Sequence, residues 1–195
     1  MNCNLHELVF LLDQSSKISD LYGEAQKGFK NLLESQKKCQ TDTNVTLCVF
    51  GSDYANIADN IPISKVKMGN EPFELSGTCP FVDSAVRVID EVGARLSKTP
   101  EYDRPSKVIV ILVNFDRDNA SKSYTYDQLA EKIKHQTEVY KWSFYLLTDF
   151  SINMEKLGIP EENTFIVKLS EKNSFTDEYR NLSGSISELR QETAE

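Results

Sequence analysis

A chain of 195 residues with 30 acidic and 22 basic side chains has a formal net charge of −8. It lacks the clustered Lys and Arg that nonspecific binding to nucleic acid or to an anionic membrane requires. Its composition, 39% hydrophobic and 27% charged, is that of a globular chain, and its length suits one domain over residues 1–195 with a substantial core.

No run approaches the roughly 20 apolar residues of a membrane span. Met1-Asn2-Cys3-Asn4-Leu5-His6-Glu7 has no basic region leading into an apolar core. Cys3, Cys39, Cys48 and Cys79 are scattered without framework spacing, so the expectation is a cytoplasmic protein with reduced thiols. Cys3-x-x-His6 has two zinc-ligand types, but no second pair follows. The acidity is a solubility feature first and a surface for a basic partner second.

In chain order, residues 7–13 read as a strand around the apolar run Leu8-Val9-Phe10-Leu11-Leu12. Residues 19–39 read as a helix, with Leu21, Ala25, Phe29, Leu32 and Leu33 at helical spacing and Ser19 and Asp20 serving its start. Residues 45–50 form a strand, Gly51-Ser52-Asp53 a turn, and 54–61 a returning antiparallel edge strand that Pro62 helps to end. An amphipathic helix over 81–97 carries Val82, Ala85, Val86, Ile89, Val92 and Leu96 on one side. After a polar connector at 100–105, Val108-Ile109-Val110-Ile111-Leu112-Val113 reads as a central strand. A helix over 126–140, a strand over 142–147, a short helix near 151–157 and a last strand over 164–169 follow. A polar terminal helix over about 174–192 then covers a core of about 5–170. Strands alternating with helices predict an α/β fold with a mainly parallel sheet.

Asp13-Gln14-Ser15-Ser16-Lys17 follows directly on the first strand. A buried parallel strand thus brings an Asp and hydroxyls to its C-terminal edge, where open α/β sheets assemble binding sites. The segment resembles the Asp-x-Ser-x-Ser signature of von Willebrand factor A (vWA) domains, in which the Asp and two Ser help to hold a divalent cation. Val49-Phe50-Gly51-Ser52-Asp53-Tyr54 resembles a hairpin of that family, and Gly77-Thr78-Cys79-Pro80-Phe81-Val82-Asp83 its Gly-x-Thr-x-x-x-Asp loop. Residues 107–123, with Asn119-Ala120-Ser121 and the later Lys141-Trp142-Ser143-Phe144, resemble its strand and Thr-Asp-Gly loop. The likeness is nearest to small stand-alone bacterial vWA proteins and runs over most of residues 5–160. It implies a three-layer, Rossmann-like fold: a mainly parallel sheet of about six strands, one antiparallel edge strand, and helices on both faces.

Carried over residue by residue, the family's metal-ion-dependent adhesion site is degenerate. Asp13 and Ser15 match the first two ligand positions, and Lys17 replaces the second serine. Cys79 falls on the threonine position and Phe115 on the second aspartate. Magnesium takes about six oxygens in near-octahedral order, and a protonated lysine repels it. The expectation is therefore no cofactor and no metal, with the Lys17 ammonium paired to Asp13. The alternative is a rearranged Mg2+ site of Asp13, Ser15, Thr78 and Asp116, with Lys17 swung into solvent.

Local readings stand beside these. Asp13 and Ser15 are acceptors suited to capping the next helix. Lys17 reads as a solvated charge, Cys79 as a small packed side chain, and Asp116-Arg117-Asp118 as a solvated loop. Phe115 either folds into the core or stands exposed as a contact residue.

The resemblance implies a non-catalytic, protein-binding adaptor using loops 14–18, 77–81 and 114–118. Its expected contacts are Ser15, Lys17, Cys79, Phe81, Phe115 and Arg117. An enzyme is disfavoured because the two histidines, His6 and His135, lie far in sequence from Ser15 and Cys79. The alternative function is an inhibitor of a host factor encoded by a phage or mobile element. The sequence names neither the partner protein nor an oligomeric state.

Overall fold

Continuous apolar runs belong where both faces of a strand are covered. In the computed structural model, which describes residues 1–67, 75, 77–149, 157–171 and 173–191, β1 (Asn2–Asp13) and β4 (Pro105–Asn114) pair in parallel at the centre of a six-stranded sheet. β2 (Asp42–Phe50) flanks β1, and β3 (Tyr54–Pro62) returns antiparallel along the edge. On the other side lie β5 (Ser143–Thr148) and the short β6 (Thr164–Ile166), both parallel. The order is β3-β2-β1-β4-β5-β6, the three-layer α/β arrangement expected from the sequence.

The pleat sorts side chains by parity. Leu8, Phe10, Ile109, Ile111 and Val113 meet α1 (Tyr22–Gln36) and α4 (Ser174–Gln191) in one core cluster. Val9, Leu11, Val108, Val110 and Leu112 meet α2 (Phe81–Lys98) and α3 (Tyr126–Tyr140) in the other. Cys3 is exposed and His6 buried, and the β1–β4 register shifts between Asn2 and His6. Among the described residues they join no group of three or more metal-ligating side chains.

Some boundaries differ from expectation. The first helix does not start at Ser19 and Asp20. A 3-10 helix over Ser16–Leu21 intervenes, with Ile18 at φ −100° and ψ 17°, and α1 begins at Tyr22 without a side-chain cap. The last strand stops at Ile166, and the Ser174 hydroxyl beyond it accepts the Lys168 N–H at 2.8 Å. The helix expected over 151–157 lies outside the described residues except for Leu157, which is buried. Among the described residues, no helix is long and apolar enough to cross a membrane.

The core runs past residue 170. α4 buries Phe175, Tyr179, Leu182 and Ile186 against α1. Gly28 permits the close approach, since a Cβ there would lie 2.4 Å from Tyr179 Cδ2. Polar groups fix the register: Gln36 Nε2 donates to the Ser183 carbonyl at 2.9 Å. Buried Arg190 donates to Gln36 Oε1 at 2.7 Å, to Thr41 Oγ1 at 3.0 Å and to Thr43 Oγ1.

Candidate functional site at the loop edge of the sheet

The C-terminal ends of β1, β4 and β5 stand side by side, with Leu12 opposite Val113 and Asn114 opposite Thr148. The loops leaving these ends form the edge that the motifs pointed to. Asp13 closes β1 and is almost fully buried. Its Oδ1 accepts the Ser15 N–H at 2.6 Å; its Oδ2 accepts the Phe115 N–H at 2.8 Å and the Ser15 hydroxyl at 3.1 Å. Burial pushes the Asp13 pKa up, and these three donors oppose the shift without cancelling it. Ser15 therefore does not cap the following helix: its hydroxyl turns back onto Asp13, and no side-chain cap bond forms there.

Lys17 does not form the expected ion pair with Asp13. Its Nζ lies 2.7 Å from Oδ2 of Asp149, the first residue after β5. The Lys17 side chain is 28% exposed and that of Asp149 only 9%, so the ammonium sits at the mouth and the carboxylate inside.

Phe115 resolves in favour of the core. It continues the parity of Ile109, Ile111 and Val113 and meets Phe175 edge-on at 5.1 Å. Phe81 is equally buried, tilted against Phe50 at 6.0 Å and Tyr126 at 6.4 Å. Cys79 is the packed side chain that its size suggests; its Sγ donates to Asn114 Oδ1 at 3.3 Å. Burial, then the charges of Asp13, Asp116 and Asp118, push this thiol far up, so it is held protonated. Of the six expected contact residues, Ser15, Cys79, Phe81 and Phe115 are covered, while Lys17 and Arg117 are exposed.

The loop between β4 and α3 is tied to the start of α2. Pro80 gives α2 no side-chain cap; instead Asp118 Oδ2 accepts the Val82 N–H at 2.7 Å and Ser121 Oγ accepts the Asp83 N–H at 2.9 Å. Asn119 exchanges two bonds with Cys79, its N–H donating to the Cys79 carbonyl at 3.1 Å and its Oδ1 accepting the Cys79 N–H at 2.8 Å. Asp83 in turn accepts the N–H groups of Lys122, Ser123 and Tyr124. Burial alone would raise the Asp83 pKa, but these backbone donors outweigh it and hold the carboxyl below its ordinary value. Asp118 is thus a structural acceptor, not a solvated charge. Sequence reasoning quoted Asn119 and Ser121 within a motif and read Asp118 as a solvated loop residue, without giving them these roles, and it missed Asp149. The first three form an Asp/Asn/Ser cluster between strand and helix, a turn signal. Asp149 follows an apolar strand just as Asp13 does.

This donor set does not suit a divalent ion. Asp13 already accepts three bonds, Ser15 donates to it, Asp116 Oδ1 accepts the Arg117 N–H at 2.8 Å, and Cys79 stays a thiol. Thr78 is exposed. Among the described residues, no group of three or more His, Cys, Asp or Glu side chains gathers to hold a metal ion.

No protein-family model matches the chain, and no curated protein matches its sequence. Among solved structures, proximal thread matrix protein 1 from the mussel byssus is similar in fold, with a TM-score of 0.65 at 14% identity over 97% of this chain. The form of that protein with a zinc-occupied MIDAS motif gives a TM-score of 0.58 at 12% identity over 95% of this chain. The chain spans about half, 47%, of the length of those proteins. The likeness shows a vWA-like fold.

Proposed function

We propose that the chain is a non-catalytic, protein-binding module of vWA type, acting as a cytoplasmic adaptor through its loop edge and without a metal ion. The observation that carries this reading is Asp13: the residue at the family's first ligand position has its carboxylate satisfied by three protein donors. A covered carboxylate, a protonated thiol and a pre-ordered rim make a surface for recognition, not a centre for bond making.

The non-catalytic reading has further support. His6 lies on β1 seven residues before Asp13, roughly 23 Å along the strand. His135 packs edge-on against Tyr140 at 5.6 Å, within α3. Neither histidine is placed as a base for Ser15 or Cys79, as nucleophilic catalysis would need.

Partner contact then falls to the exposed rim. Lys17, Arg117, Lys122 and Tyr124 are exposed there, three cations on a chain of net charge −8. A partner Asp or Glu meets Arg117 directly and competes with Asp149 for Lys17. Affinity capture from the source cell tests this with Arg117→Glu and Lys122→Glu baits whose thermal melts match the wild type. The partner captured by wild type should be lost from both baits. Equal capture by all three would place binding on another face.

A further inference from the structure

The loops after β1 and β5 are not neighbours. β4 lies between their strands, so any direct link spans two inter-strand spacings, roughly 10 Å. A divalent ion shared by carboxylates from different strands is one way to make such a link. This chain has a carboxylate at each end, Asp13 closing β1 and Asp149 following β5, and between them a side chain long enough to reach across, Lys17.

We infer that Lys17 is the resident cation of the loop edge, and that its ion pair clasps the loop after β1 to Asp149 at the end of β5 in place of a divalent ion. Two tasks that one metal ion would perform are divided. Neutral donors (the Phe115 N–H, the Ser15 N–H and the Ser15 hydroxyl) offset part of the cost of burying Asp13. The Lys17 ammonium makes the cross-link at 2.7 Å. Because Asp149 is largely buried, removing Lys17 would take away an ammonium that offsets its desolvation. Removing Asp149 would leave an ammonium at the mouth that water can still solvate. The two single changes are therefore unequal, and they are not additive. This goes beyond the binding reading and holds whether or not the edge meets a partner.

A double-mutant cycle read by urea denaturation tests it, with Lys17→Met, Asp149→Asn, the double variant and Lys17→Arg. Lys17→Met should shift the folding equilibrium toward the unfolded state more than Asp149→Asn does. In the Asp149→Asn background, Lys17→Met should cost several-fold less than in wild type, a coupling of about tenfold. Lys17→Arg, which keeps a cation, should recover most of the loss. Additive single effects, or Lys17→Arg as unstable as Lys17→Met, would overturn the inference. Should Lys17→Met fail to fold alone, the double variant decides: folding restored by Asp149→Asn supports the clasp, and no restoration overturns it.

Discussion

The Asp118 carboxylate accepts the backbone N–H of Val82 at 2.7 Å, so the first turn of α2 is capped from the loop after β4 and not from its own N-terminal residue. The first N–H groups of a helix have no partner within it, and a carboxylate there is also favoured by the helix dipole. Asp118→Ala should destabilise the fold by about 1 kcal/mol, the usual worth of such a cap. Amide hydrogen exchange should quicken at Val82 and Ser121 before the sheet is affected. Unchanged exchange at both would mean that the loop is held by other bonds.

The vWA resemblance puts Phe115 at a position where that family has an aspartate, and the structure leaves no room for an acid there. Phe115 is packed on Phe175, so Phe115→Asp puts an unpaired carboxylate into the core and should prevent stable folding. Phe115→Leu keeps an apolar side chain and should fold, while Phe115→Ala should cost about 3–5 kcal/mol. Urea denaturation ranks the three. Tolerance of Asp at this position would show that the side chain is not a core residue.

His6 predicts an acid-labile segment of the stability profile. Burial, with Arg190 and then Lys107 nearby, lowers its pKa to about 4 from an ordinary 6.5. The unfolded chain therefore binds this proton more readily than the native one. The His6 contribution is fully retained above pH 6.5 and is lost as pH falls toward 4. Among the described residues its buried Nδ1 has no hydrogen-bond partner, so His6→Leu should fold and should flatten this stretch of the curve. Melting temperatures across the range check the prediction; an unaltered slope in the variant would assign acid sensitivity to other groups.

Arg190 fastens α4 to the end of α1 and to the strand entering β2, through Gln36, Thr41 and Thr43. A lysine cannot reproduce a planar fork serving acceptors on both sides. Arg190→Lys should leave buried acceptors unpaired at about 1–3 kcal/mol, visible as a lower urea midpoint. A midpoint equal to the wild type would show that α4 is held by its apolar face alone.

The sequence made the sheet legible because burial on both faces writes unbroken apolar runs at 8–12 and 108–113, and these became its centre. The polarity of α4 misled, because its buried groups include Ser174, Ser183 and Arg190, which pack through hydrogen bonds that no apolar period records. At the loop edge, Asp13 was legible from its position after a strand. Lys17 was legible as a misfit at a ligand position, but its partner was not. Asp149 lies 132 residues later and meets Lys17 only because β5 is set two strands from β1. Phe115 remained open between core and surface until the parity of β4 was seen to carry through it.

The central claim, that this edge is held by its own side chains and not by a divalent ion, is tested most directly by melting the wild-type protein in chelator and then in rising Mg2+ or Mn2+, against NaCl of matched ionic strength. A ligand of the native state must raise the melting temperature with its concentration. The account predicts curves that superimpose with those in NaCl at every concentration. A saturable rise that Asp13→Asn abolishes would contradict it, and would return the edge to metal-dependent recognition.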